Sequence, residues 1–251
     1  MGKADLHIHT IYSWDGTMTP AAALKAAALA GMDVIAITDH DDMRATFEAR
    51  SLAGRYGLDV IPGIEVTTAD GHLLALFVEK VVPAGLPLIE TLLRIGDQGG
   101  IAVAAHPEAP LTGSLDRKTL RAALERNDAR QVLVGVEVYN AGLPYRFSNV
   151  AARTIVDELP LAQIGNSDAH VPWGVGMGYT EFPGRSAADL RQALLQRVTL
   201  AHGAPGFITI KPILHWLWNY ALKRAGWVSS NLQPQLPLSL ARQPVSRYPM
   251  L

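Results

Sequence analysis

Asp5-Leu6-His7-Ile8-His9-Thr10 reads as a short apolar strand that delivers two imidazoles one residue apart. On a strand, residues i and i+2 point to the same face, so His7 and His9 can converge on one point. Two imidazoles on one face make a natural start to a metal site. The pattern is weak by itself and gains weight only from what stands at the ends of the later strands.

Working outward, Thr19-Pro20 reads as the N-cap and first position of an alanine-rich helix, Ala21 to Ala30, stopped by Gly31. A second apolar strand, Asp33 to Thr38, ends in Asp39-His40-Asp41-Asp42. A helix over Met43 to Tyr56 leads to a third strand, Asp59 to Val66, which carries Glu65. Asp70-Gly71 is a turn signal, and His72 opens the strand returning from it. After a helix over Leu88 to Gln98, Ile101 to Ala105 is a strand ending in His106-Pro107. Ser114-Leu115-Asp116 opens a helix to Asn127, and Val132 to Val138 is a strand carrying Glu137 toward Tyr139-Asn140. Phe147 to Leu159 reads as helix, and Leu161 to Gly165 as a strand ending in Asn166-Ser167-Asp168-Ala169-His170. A glycine-rich loop, Trp173 to Gly178, leads to a last short strand, Tyr179 to Phe182, before a helix capped by Ser186.

Strands alternate with helices, and the strands are continuous apolar runs. That is the pattern of a largely parallel sheet covered by helices. About seven such units in roughly 200 residues suit a closed or nearly closed β/α barrel. A doubly wound open sheet is the rival, but there only the strands at the switch point supply a site. Here nearly every strand ends in chemistry, as barrel strands do.

The chain of 251 residues is 49% hydrophobic and 18% charged, with a net charge of −1 and no cysteine. Thiolate metal sites, disulfides and cysteine nucleophiles are thereby excluded, and nothing points to stable nucleic-acid binding. Met1-Gly2-Lys3-Ala4-Asp5 is no signal peptide and no long apolar run follows, so a cytoplasmic location is expected. Residues 1–205 form the expected domain. Residues 206–228 are a Trp-rich basic segment, and 229–251 are rich in Pro, Gln and Ser and expected to lack structure. Tryptophan with basic residues over 207–227 suits packing on the barrel or a second subunit first, and peripheral membrane contact second.

Six of the eight histidines, His7, His9, His40, His72, His106 and His170, fall at strand ends, joined by Asp15, Glu65 and Asp168. Nine nitrogen and oxygen donors exceed one tetrahedral zinc and suit two or three divalent ions, with Glu65 able to bridge. Such ions make hydroxide from water at neutral pH and neutralise phosphate oxygens under in-line attack. Neither a P-loop nor a nucleophile elbow is present. Metal-activated hydroxide acting on a phosphate ester is the economical reading. Asp39 reads as a partner orienting an imidazole. The position of Glu137, touching metal or supporting the site, is open. Arg44 and Arg146 follow strand ends where a substrate phosphate could be gripped, and His202 and His215 lie outside every motif.

The set Asp5-Leu6-His7-Ile8-His9-Thr10, Tyr12-Ser13 with Asp15-Gly16, Thr38-Asp39-His40-Asp41, Pro62-Gly63-Ile64-Glu65, His106-Pro107, Gly135 to Asn140 and Ser167-Asp168-Ala169-His170 resembles the PHP (polymerase and histidinol phosphatase) family over about residues 4–182. The resemblance implies a distorted seven-stranded β/α barrel, here with a C-terminal extension, and phosphoesterase chemistry on two or three zinc, manganese or iron ions. It implies His7 and His9 at a first ion with Glu65 bridging and Asp168 completing it. His72 and His106 would hold a second ion, and Asp15, His40 and His170 a third. Asp168 and His170 are the implied catalytic pair, with no role beyond supporting metal. Trp14 departs from the pattern: many members run from serine directly to Asp-Gly or a histidine, so the extra residue bears on the register of Asp15.

The implied activity is hydrolysis of a small phosphomonoester, a nucleotide or sugar phosphate. Two alternatives stand beside it. One is a nuclease or phosphodiesterase acting on short oligonucleotides or nucleoside bisphosphates. The other is a non-catalytic metal-binding module that recruits partners through the C-terminal segment.

Overall fold

The computed structural model describes residues 1–110, 113–142, 148–203 and 210–225, with the backbone alone over 210–213. Arg146, most of the loop from Gly142 to Arg146, and residues 226–251 lie outside the described residues.

Nine strands form one sheet in the order β7-β6-β5-β4-β3-β2-β1-β8-β9. They are β1 (Gly2–Asp5), β2 (Val34–Ile37), β3 (Asp59–Thr67), β4 (His72–Leu76), β5 (Ile101–Ala104), β6 (Leu133–Asn140), β7 (Ala162–Asn166), β8 (Gly178–Phe182) and β9 (Leu200–Gly203). Strands β1, β2 and β3 run parallel, as do β5, β6 and β7. Strand β4 is antiparallel to both neighbours, the consequence of the tight Asp70-Gly71 turn. The seven strands β1 to β7 nearly close on themselves. Ile8 bridges Ala169, and the Leu6 amide donates to Asn166 Oδ1 at 2.8 Å. The two strands beyond seven are β8 and β9, an antiparallel pair added beside β1. Strand β9 was hidden in the sequence because Leu200-Ala201-His202-Gly203 is short and only partly buried.

The helices are α1 (Pro20–Leu29), α2 (Arg44–Leu52), α3 (Leu88–Gly96), α4 (Arg117–Glu125), α5 (Asn127–Val132), α6 (Asn149–Arg153), α7 (Ile155–Glu158), α8 (Ala187–Gln196) and α9 (Ile210–Arg224). Their starts follow local chemistry. Thr19 Oγ1 caps α1, Asp116 caps α4, and Ser186 with Asp189 forms a capping box on α8. Helix α8 lies across the N-terminal ends of the strands. Its Ala187 amide reaches Asp59, the first residue of β3, and Leu190 and Leu194 plug the interior beside Ala4, Leu74, Val103 and Ile164. That end is sealed with hydrocarbon, which leaves the opposite, C-terminal end for polar residues.

The opening strand is shorter than its sequence implies. Regular pairing ends at Asp5, because the next residues answer to other partners. The His9 amide donates to the Ala169 carbonyl at 2.9 Å, and Asp39 takes both the amide and the hydroxyl of Thr10. His7 and His9 still converge, with ring centroids 5.0 Å apart.

Candidate metal centre

Every strand from β1 to β7 delivers to one end of the barrel. His7 and His9 follow β1, and His40 follows β2 and bridges to Glu65 on β3. His72 opens β4, antiparallel, and so arrives at the same end as Glu65. His106 follows β5, Glu137 lies on β6, and Asp168 and His170 follow β7.

The Glu65 carboxylate, fully buried, is the hub. Its Oε1 stands 3.0 Å from His72 Nδ1 and 3.1 Å from His106 Nε2. Its Oε2 stands 3.1 Å from His7 Nε2, 3.2 Å from His9 Nε2 and 3.2 Å from His40 Nδ1. Asp168 Oδ1 faces His9 Nε2 at 3.1 Å and His7 Nε2 at 3.5 Å. At the rim, Asp15 Oδ2 is 2.9 Å from His170 Nε2 and 3.5 Å from His40 Nε2. All nine residues singled out as donors therefore meet in one continuous cluster, and Asp15, next to Trp14, faces its histidines. In the same loop Gly16 packs on Thr10, where a Cβ would stand 2.0 Å from the Thr10 carbonyl oxygen.

The donor set fits metal. Two donors bound tetrahedrally at about 2.1 Å from one ion stand about 3.4 Å apart, close to the spacings seen here. Four groups of three converge among the described residues: His7-Glu65-His106, His7-His9-Asp168, His9-Asp15-His170 and His9-His40-Glu65. His72 is in none of the four and reaches only Glu65, while His9 Nδ1 is buried with no hydrogen-bond partner, an expensive state for a polar nitrogen. Burial alone would push the His9 imidazole down, yet hydrogen bonds to Asp168 and Glu65 raise its pKa to about 10. His7 and His40 are raised for the same kind of reason, carboxylates outweighing burial. Burial favours a protonated Glu65, but the charges of His7 and His40 hold its pKa low. A field that retains protons on buried imidazoles is one that attracts cations.

Glu137 is not among the converging donors. Its Oε1 accepts from His7 Nδ1 at 2.8 Å and from the Asn166 amide group at 2.7 Å; its Oε2 accepts from the His106 backbone amide at 2.7 Å and from Asn140 Nδ2 at 3.0 Å. It fixes the proton of His7 on Nδ1 and turns Nε2 to the cluster. Asn140 also reaches Asp168 Oδ2 at 3.2 Å. Neither Asn140 nor Asn166 stood out in the sequence, although both close a strand, where chemistry gathers in a barrel. Asp39 supports Thr10 rather than an imidazole, a correction of its expected role. Two donors sit on left-handed backbone, His106 (φ 28) and Asp168 (φ 51), a strained conformation for these side chains. Arg44 is exposed and spends its guanidinium on Asp42 at 2.6 Å. His202 stacks on Tyr179 at 5.0 Å, apart from the cluster.

A β/α barrel with a histidine-carboxylate cluster able to hold metal at its C-terminal end defines a class of metal-dependent hydrolases. Within that class, the family model described as PHP domain matches residues 5–159, and the one described as PHP-associated matches residues 146–199. This chain belongs to the PHP domain family, hydrolases acting on phosphoric ester bonds. An uncharacterized protein of Methanocaldococcus jannaschii is 36% identical over 172 residues, covering 63% of this chain and 94% of that one. The 3',5'-nucleoside bisphosphate phosphatase of Chromobacterium violaceum is 34% identical over 88 residues, covering 34% of this chain and 30% of its own. Among solved structures, a two-domain protein of Bacteroides vulgatus containing a predicted PHP-like metal-dependent phosphoesterase aligns with a TM-score of 0.66. It is 23% identical, with 87% of this chain and 69% of that chain covered. Among the described residues no helix is long and apolar enough to cross a membrane.

Proposed function

We propose that this chain hydrolyses a small phosphomonoester with a nucleotide-like leaving group, using two or three divalent ions of zinc, manganese or iron. The observation that carries the reading is Glu65, whose two oxygens are shared among five imidazoles. A single mononuclear site would not use so many donors around one carboxylate. His7, His9, Glu65 and Asp168 would hold one ion, His72, His106 and Glu65 a second, and Asp15, His40 and His170 a third. When bound, such ions supply Lewis acidity toward phosphate oxygens and a water nucleophile at neutral pH.

The chain's own residues organise the rest. Glu137 holds His7 in one tautomer, and Asn140 restrains Asp168. His170 donates from Nδ1 to the Asp168 carbonyl at 2.9 Å, which turns its Nε2 toward Asp15. Asp168 and His170 thus serve the chemistry by supporting metal. Trp14 is 66% exposed beside the centre, stacked on His40 at 5.9 Å. A flat apolar ring left in water next to the site is a surface on which a base can stack. That favours a nucleotide over a sugar phosphate. It also supports a second reading, release of terminal nucleotides from short oligonucleotides by the same centre.

The test is metal content per chain by elemental analysis on untagged protein, beside turnover of p-nitrophenyl phosphate, a nucleoside 3',5'-bisphosphate and a short 5'-phosphorylated RNA, with and without chelator. The expected result is two or three ions and chelator-sensitive release of phosphate from the bisphosphate. Faster release of mononucleotides from the RNA moves the second reading to first place. Full metal content with no turnover on any of the three sinks both readings and restores the binding module.

A further inference from the structure

Helix α9 lies against the loop from Ile11 to Gly16, far from it in sequence. Lys223 Nζ donates to the carbonyls of Ile11 at 3.1 Å, Gly16 at 2.8 Å and Ser13. Trp216 Nε1 donates to the carbonyl of Asp15 at 3.0 Å. One helix therefore takes four main-chain carbonyls from a single short loop. A lysine ammonium has three donors, and here all three are spent on main chain rather than on a carboxylate. A compact charge gripping three carbonyls fixes their relative positions much as a bound cation would.

That loop carries the carboxylate that faces both His40 and His170. Asp15 Oδ1 accepts from the Ser13 hydroxyl at 2.6 Å, so the Ser13 carbonyl held by Lys223 and the Asp15 side chain move together. On its far side the loop is tied back to the site, because the Thr17 amide donates to the His170 carbonyl at 3.1 Å. Trp216 also sets its ring edge-on to His170, with centroids 6.5 Å apart, and stacks on Tyr220 at 5.2 Å.

We propose that Lys223, seconded by Trp216, is a positioning residue for Asp15, and that α9 thereby completes the rim of the metal centre. The inference rests on the metal-centre reading above. It assigns the Trp-rich basic segment a task inside the enzyme: without its clamp the barrel keeps its deep donors and loses the aim of the Asp15 carboxylate.

The test uses the full chain with Lys223→Met, which keeps side-chain length and removes the ammonium, and Arg224→Met on the exposed side of the same helix as control. Hydrogen exchange of the metal-free proteins, read by mass spectrometry over residues 11–17, reports the amides of Ile11, Ser13 and Thr17, each paired in the native loop. Exchange there is expected to rise about tenfold or more in Lys223→Met, with the barrel strands unchanged. After loading with manganese and desalting, the variant is expected to hold one ion per chain fewer than the parent. Arg224→Met should match the parent in both measurements. Unchanged exchange over 11–17, or faster exchange with the parent's ion content, overturns the inference. So does a rise spread across the strands, which would make Lys223 a support of the fold at large. If the parent itself takes up no metal, the proposed function falls and takes the metal half of this inference with it. The exchange over 11–17 still decides whether Lys223 holds the loop.

Discussion

The two ends of the cluster are built differently. The deep end, around His7 and His106, is sealed from solvent and held by strand residues: Glu137 binds both histidines and is itself gripped by Asn140 and Asn166. The rim, around Asp15, His40 and His170, rests on loops. The side chains of His40 and His170 are 12% and 23% exposed, and α9, distant in sequence, grips the main chain of the loop that carries their shared carboxylate. The difference teaches that one centre can combine a part held by strands and a part held by loops. The deep donors are oriented by hydrogen bonds to neighbouring strand residues. The rim donors face the water from which substrate comes, and the loop that carries Asp15 is hydrogen-bonded to α9, distant in sequence.

The largest effect is expected at the residue that joins the two ends. Glu65→Gln removes the charge that both share, and turnover should fall by about 10²- to 10³-fold, the scale of losing a preorganised group at a reacting site. Elemental analysis of the same variant should show two ions per chain lost, the two that Glu65 would share. Loss of one ion only would mean that Glu65 serves a single ion, and the bridging arrangement would fail. One step down, Glu137→Gln leaves the donors in place but loosens His7. Deep-end metal affinity should weaken by about 10- to 100-fold, seen in competition with a chelator of known affinity. An effect of the same size at the rim would erase the contrast between the ends.

Asp15→Asn should do less. It touches the rim alone, so one ion per chain should be lost and the deep pair retained. Timed removal with chelator sharpens the point. The parent should release its ions in two phases, the faster from the rim, and the variant should show the slow phase only. A single phase in both proteins would mean that exposure of the rim has no bearing on how its ion is held.

What could be read in advance follows the same division. The deep end was legible because apolar runs ending in His or Asp announce barrel strands, and the direction of parallel strands fixes which end of the barrel they reach. The work of Glu137 was not legible. It sits inside an apolar run whose register shifts between Glu137 and Tyr139, so strand alternation does not say where its carboxylate points. Asn140 and Asn166 were missed because an amide gains a role only from partners distant in sequence. Asp39 was read as an imidazole partner from its neighbour His40, yet it turns to Thr10 across the strand pair. The rim was legible as a set of donors, but its support was not. No local pattern in Phe207 to Trp227 says that Lys223 will find the carbonyls of residues 11–16.

The smallest expected effect belongs to Trp14, at the outer edge of the rim. Its ring is largely in water and one face lies against His40, so Trp14→Ala removes little buried surface and leaves every donor in place. Stability and metal content should match the parent. If a base stacks on the free face, KM for a nucleotide substrate should rise about fivefold, equivalent to roughly 1 kcal/mol of stacking, with kcat unchanged. Glycerol phosphate, which has no ring, should be hydrolysed with the same KM by both proteins. Steady-state kinetics on the two substrates separates the roles. A selective rise for the nucleotide makes Trp14 part of substrate recognition. An equal loss on both substrates, carried in kcat, makes it a packing partner of His40, and the rim then takes its specificity from elsewhere.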